Sequence, residues 1–337
     1  MTEISKTQTR AYWVRVAAAA VIFMVFIVAI NAATHGIFLH PGNIITVLRQ
    51  ITYNFILAIG ETFVIITAGI DLSIGSLVSL SGVVMAIVAN SLHVSGFPLI
   101  ALTLLAGVAV GAAAGYVNGL PVVKLNLPPF ITTLAMMQIA VGLSYILSGG
   151  RPIALNATDF ENTGYGLFLG GFTGALHLPG IPIPLIWMLV AGAFFSVLLT
   201  RTRFGRYVLA LGGNEEAARL AGINVGQTKI LVYIISGVCA AIVGFLYMAL
   251  FSSGSPQTGT GNEMLGAIAA VVVGGTSLMG GRGTIVGTFF GALLIGSLNN
   301  AMNLLGINSY LQMVVLGIVI LAAVALDELR KRYLAKA

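Results

Sequence analysis

The sequence predicts an all-α polytopic membrane protein of about ten transmembrane helices, several of them Gly-rich and broken or re-entrant. Three observations predict it. Hydrophobic residues make up 58% of the 337 and charged residues only 8%, with a mean hydropathy of +1.02, more apolar surface than a soluble core can hide. The apolar residues fall in runs long enough to span a bilayer, separated by short polar links. The 42 glycines follow no G-X-Y period, which excludes a collagen-like chain and suits close helix packing in lipid.

Taken in order, residues 1–15 are polar and carry Lys6, Arg10 and Arg15. The apolar run 16–33 makes a tilted span once 12–14 are added. A cleaved signal peptide ending near INAAT is the competing reading, and the further hydrophobic segments favour a retained span. The second span covers about 44–68 and contains Glu61; the third, fourth and fifth cover 72–92, 98–120 and 128–147, with Lys124 in the last link. Residues 148–181 form a long polar loop with Gly149, Gly150, Arg151, Asp159 and Glu161, read either as a small folded cap or as a docking surface. Spans six and seven, 182–200 and 228–251, flank a charged loop. After Gly/Ser/Thr-rich 252–262 come an interrupted run at 263–281, another at 284–305 and a last at 310–326. Residues 1–337 therefore form one transmembrane domain.

The charged loop 201–226, RTRFGRYVLALGGNEEAARLAGINVG, must lie in water. Asn214 can cap a helix opening with Glu215 and Glu216, whose charges suit the N-terminal dipole, and Gly222 supplies the stop. Residues 215–221 give about two turns, ~10 Å. Such a helix is marginal alone and is expected to dock against its own protein or a partner; a solvated connector is the plainer reading.

In the ten-span arrangement one side carries Lys6, Arg10, Arg15, Lys124, Arg201, Arg203, Arg206, Arg219, Lys229, Arg282, Arg330, Lys331, Arg332 and Lys336, 14 of the 16 basic residues, leaving Arg49 and Arg151 on the other. The positive-inside bias puts both termini and loop 201–226 in the cytoplasm, with loop 148–181 outside. These membrane-end charges also account for a pI near 9.6, and without a basic stripe interleaved with aromatics no nucleic-acid partner is expected. The single Cys239 rules out an intrachain disulfide and a cysteine metal cluster, and the four histidines show no metal-ligand spacing. No phosphate-binding loop, nucleophile elbow or zinc helix is present, so no catalytic residue is expected and any ATP-driven work would need a separate subunit.

VIITAGIDLSIGSLVSLSG, from Val64 to Gly82, and VVVGGTSLMGGRGTIVGTFFG, from Val271 to Gly291, read as parallel repeats. Each enters from outside, turns at the cytoplasmic side on small polar residues and returns. Such paired breaks are either part of a transport path, because freed backbone groups need a polar lining, or tight turns that need glycine for backbone reasons alone. Candidate path residues are Glu61, Asp71, Ser73, Thr132, Thr133, Thr276, Ser277, Asn299 and Asn300, each also readable as an interhelical hydrogen-bonding group.

AGIDLSIGS at 68–76, RFGRYVLALGGNEEAARLAGINV at 203–225, AIAAVVVGGTSLMGGRGTIVGT at 267–288 and LNNAMNLLGI at 298–307 resemble, in order and spacing, the permease subunit of ATP-binding-cassette sugar importers of the ribose type. The likeness covers nearly the whole chain. Glu216, Ala217, Ala218 and Gly222 match the EAA-x-x-x-G core of those importers' coupling loop, although VYII stands at 232–235 where other importer families carry Ile-x-Leu-Pro. The resemblance implies that Gly212, Gly213, Asn214, Glu215, Glu216, Ala217, Ala218 and Gly222 couple to a cytoplasmic ATPase subunit, which would hold ATP and Mg while this chain binds no cofactor. It also implies an extracytoplasmic sugar-binding protein, a second permease subunit forming a homodimer, and a bacterial inner-membrane location. The function implied is import of a ribose-like monosaccharide. The alternatives are an ion-coupled secondary transporter using Glu61 and Asp71, and a non-transporting membrane scaffold.

Overall fold

The computed structural model describes residues 23–156 and 183–336, side chains at 183 and 326–336 aside. The start of the first span with Lys6, Arg10 and Arg15, the signal-peptide alternative, and most of loop 148–181 with Asp159 and Glu161 lie outside the described residues. The helices are α1 (Phe23–Ala33), α2 (Pro41–Ile66), α3 (Ile74–Ser91), α4 (Phe97–Lys124), α5 (Pro129–Ser148), α6 (Ile183–Arg201), α7 (Arg203–Gly213), α8 (Glu215–Leu220), α9 (Val225–Phe251), α10 (Glu263–Val273), α11 (Ile285–Leu304) and α12 (Ser309–Lys336).

α2 is the axis of the bundle. Pro41 opens it, and His40 accepts a hydrogen bond from the Gly42 amide, a start that suits the fixed φ of proline. From Ile51 to Ile66 every residue but Asn54 is buried, as expected of a helix apolar on all sides. α3, α6, α9, α10 and α11 pack around it. α4, α5 and α6 form an outer layer whose large side chains, such as Leu105, Ile146 and Val190, point away from the protein, a face suited to lipid.

Between helices that lipid cannot squeeze together, small residues set the approach. α4 and α9 cross backbone on backbone: a Cβ on Gly111 would overlap the Gly237 carbonyl and the reverse holds, while one on Gly115 would overlap the Tyr233 carbonyl. Hydroxyl pairs add polar links between helices, Thr62 with Thr288 at 2.7 Å and Ser79 with Ser144 at 3.1 Å. At the end opposite loop 201–226, β1 (Ile153–Ala154) and β2 (Ser253–Gly254) form a two-stranded antiparallel ladder. Asn90 seals it, donating to the Ala154 carbonyl at 2.9 Å.

The fold is an all-α polytopic membrane protein apart from this small ladder. The expected count of about ten spans is not reproduced: among the described residues six helices, α3, α4, α5, α6, α9 and α11, are long and apolar enough to cross a bilayer. The shortfall has physical causes. α2 has 26 residues but carries Arg49, Gln50, Asn54 and Glu61; α10 stops after 11 residues at Gly274–Gly275; and α1 and α12 count here only for their described apolar parts, Phe23–Ala33 and Ser309–Ala325.

Candidate functional site

The two repeats end their first helices with the same cap. After α2, the Ala68 amide donates to the Ile65 carbonyl and Gly69 to Val64; after α10, Gly275 donates to Val272 and Thr276 to Val271. This is the Schellman pattern, with its left-handed residue at Ala68 (φ 60°) and Gly275 (φ 88°). The turns then differ in length, since α3 begins at Ile74 and α11 at Ile285.

The first break is braced by side chains. Asp71 Oδ1 accepts from the Ser73 amide (2.9 Å) and hydroxyl (2.6 Å), and Oδ2 accepts from Ser236 Oγ (2.7 Å). Glu61 Oε1 accepts from the Asp71 amide at 3.1 Å. Asn118 Nδ2 donates to Ser73 Oγ at 2.9 Å, and Thr133 Oγ1 to the Ile70 carbonyl at 3.1 Å. Glu61, Asp71, Ser73 and Thr133 are thus brought together, fully buried. The partners Asn118 and Ser236 escape a sequence reading, because single polar residues in α4 and α9 carry no spacing signal.

The second break is glycine-rich. Ser277 donates to the Arg282 carbonyl and Gly281 to the Ile66 carbonyl, both at 2.9 Å, while Thr276 Oγ1 is buried without a partner. The Gly281 bond joins the two breaks, and α7 completes the junction. A Cβ on Gly212 would overlap the Ile66 carbonyl and crowd the Gly281 amide, and one on Gly281 would stand 2.8 Å from Gly213 Cα. Both breaks and the end of α7 therefore meet backbone to backbone.

α8 follows directly. Asn214 Oδ1 accepts from the Ala217 amide at 2.9 Å, as its capping role requires. Glu215 pairs with Arg219 at 3.3 Å and with Lys229 of α9 at 2.7 Å. Gly222 has φ 83° and closes the helix with bonds from Gly222 to Arg219 and from Ile223 to Ala218. Ala218 is buried against the protein itself, whereas Glu216 and Ala217 are exposed together with Leu220, 82% exposed. The exposed residues of α8 are thus Glu216, Ala217, Arg219 and Leu220, Arg219 being tied to Glu215. Leu220 is not among the expected coupling residues, although its spacing four residues after Glu216 puts it on the same helical face.

The remaining candidates scatter. Thr132 is buried and donates to Pro129 within its own helix at 2.9 Å. Asn300 exchanges hydrogen bonds with Asn43, both 3.0 Å. Asn299 lines a cavity of about 530 Å³ between α2, α9, α10, α11 and α12, in the half of the bundle away from α8. Gln50, Tyr53, Asn54 and Glu263 line it too and were not anticipated, though Gln50, Tyr53 and Asn54 share one face of α2 at helical spacing. Among the described residues no group of His, Cys, Asp or Glu is arranged to hold a metal.

A helical bundle with paired broken helices and a short helix held out on one end suits a membrane permease component. Residues 43–324 match the family described as branched-chain amino acid transport system / permease component, and the chain belongs to that family. It is a transporter component and not an enzyme. The ribose import permease protein RbsC of Escherichia coli strain K12 is 43% identical over 311 residues, 91% of this chain and 92% of that one. RbsC of Bacillus subtilis strain 168 is 45% identical over 86% of each chain. The D-allose transport system permease protein AlsC of E. coli K12 is 38% identical over 90% of each. No solved structure matches.

Proposed function

We propose that the chain is the membrane-spanning subunit of an ATP-binding-cassette importer that carries a monosaccharide, ribose or a close relative, into the cytoplasm. The observation that carries this reading is the junction of Ile66, Gly281 and Gly212, because it leads without slack into α8. A partner that grips Glu216, Ala217 and Leu220 pulls on α7, and α7 meets the end of α2 and the second turn backbone to backbone at Gly212. The named relatives supply the solute class. The partners are a cytoplasmic ATPase subunit holding ATP and Mg, an extracytoplasmic sugar-binding protein and a second copy of this chain.

In this reading the membrane is the bacterial inner membrane, both termini are cytoplasmic, and α1 to α6 and α9 to α12 make ten crossings, α10 being completed by the turn that follows it. The side chains at the two breaks, Glu61, Asp71, Ser73, Thr133, Thr276 and Ser277, gate the route, with Thr132, Asn299 and Asn300 as further polar lining. Co-purification with the ATPase subunit and uptake of labelled D-ribose, D-allose and L-leucine into proteoliposomes test it. Glu216→Lys reverses a charge at the positive end of the α8 dipole, and Gly222→Val forces a β-branched residue into the left-handed region, a strain of about 1 to 3 kcal/mol. Both variants are expected to insert normally and to lose ATPase association or ATP-driven uptake. Wild-type behaviour of both refutes the coupling role, and uptake of leucine in place of the sugars refutes the solute class.

A further inference from the structure

The cavity between α2, α9, α10, α11 and α12 holds a cluster of unused hydrogen-bonding capacity. Gln50 Oε1, Tyr53 OH, Asn54 Oδ1 and Glu263 Oε2 are buried atoms without a partner, and all four residues line this one space. The Tyr53 side chain is itself only 6% exposed. Buried polar atoms in folded proteins are almost always partnered. Several left open toward one cavity of about 530 Å³, a size typical of small-molecule sites, mark a partner that comes and goes.

The walls say what kind of partner. Tyr53 stacks on Tyr247 with centroids 4.5 Å apart, and Tyr247 on Phe251 at 5.8 Å, giving an aromatic wall against which the C–H face of a ring can lie. In the first turn of α10, Glu263 offers its unpartnered Oε2 to a hydroxyl. It is the only charged residue lining the cavity, and no basic side chain joins it, so anions such as sugar phosphates are repelled.

We infer that this cavity is a binding site within the permease for a neutral, polyhydroxylated ring, occupied in transit on the outer side of the braced break. The inference rests on the sugar-importer reading and adds to it the place where the chain itself touches the solute. Asn54 lies seven residues before Glu61, about 10 Å along α2, so the site stands one step outward of the junction that α7 contacts. Binding is weak, because each solute hydroxyl replaces a water that serves the same atom in the empty state.

Tyr53→Phe and Asn54→Leu test it, since each removes a polar atom that no protein group uses. The assembled complex, with its ATPase subunit and binding protein, is reconstituted in proteoliposomes and its uptake of labelled D-ribose and D-allose measured beside thermal stability and ATPase co-purification. Stability and co-purification are expected to be unchanged or improved, while uptake at low sugar concentration falls about three- to ten-fold, the effect of one neutral hydrogen bond. Wild-type uptake in both variants overturns the site. So does loss of uptake that merely tracks loss of stability, which makes the two side chains structural. If the wild-type complex carries neither sugar, the sugar-importer reading falls and this inference with it.

Discussion

Gly275 and Gly212 are both glycines of the junction between the two breaks and α7, yet they answer to different constraints. Gly275 needs its positive φ and faces open space, while Gly212 has an ordinary φ and no room for a Cβ beside the Ile66 carbonyl. Gly275→Ala should lower stability by about 1 kcal/mol, the ordinary cost of a left-handed alanine, and leave the ATPase bound; Ala68 already tolerates that conformation at the equivalent place. Gly212→Ala should be several times worse in a thermal melt and should also release the ATPase, because the backbone contact itself is displaced. Equal effects from the two variants would remove the distinction. The sequence marks both positions as glycine and cannot tell the two reasons apart, since one is local and the other depends on segments some 70 and 145 residues distant in the chain. The cap at Asn214 and the stop at Gly222 were legible because their causes lie within one helical turn.

At the scale of elements, the crossing of α4 and α9 depends on Gly111 and Gly237 meeting backbone to backbone. Gly111→Leu is expected to push the helices apart and to destabilise by at least the 1 to 3 kcal/mol of ordinary overpacking, read as a lower melting temperature or loss of the folded fraction on a sizing column. A near-normal melt would mean that the crossing is plastic. Of the ten apolar segments read from hydropathy, six have a helix long and apolar enough to cross a bilayer among the described residues, α3, α4, α5, α6, α9 and α11. The charged loop, by contrast, was read as one short helix, whereas α7 fills its first half. α7 is amphipathic, with Val208 and Leu211 buried and Arg203 and Arg206 exposed, and its apolar face was masked by its neighbours' hydrophobicity. The cavity escaped for a related reason: Gln50, Tyr53 and Asn54 share α2, but Tyr247, Glu263, Asn299 and Gln312 come from four other helices, and only packing gathers them.

For the whole molecule, orientation is open to a direct test. Cys239 is the one cysteine and is fully buried, so the native chain gives little background to a thiol reagent. Val94→Cys, between α3 and α4, should label from outside intact cells, and Asn214→Cys only after the membrane is opened; both labelling from outside would break the proposed ten-crossing arrangement. The repeats give the molecule a second large-scale property through their unequal turns. One is clamped by two carboxylates and their hydroxyl and amide donors; the other leaves Met279 73% exposed and hangs on few bonds of its own. Amide exchange should accordingly be faster at 278–283 than at 69–73, and equal protection would contradict it. If a partner pushes on α8 as proposed, the push meets a stiff hinge and a compliant one, and its effect divides unequally between the α2–α3 arm and the α10–α11 arm.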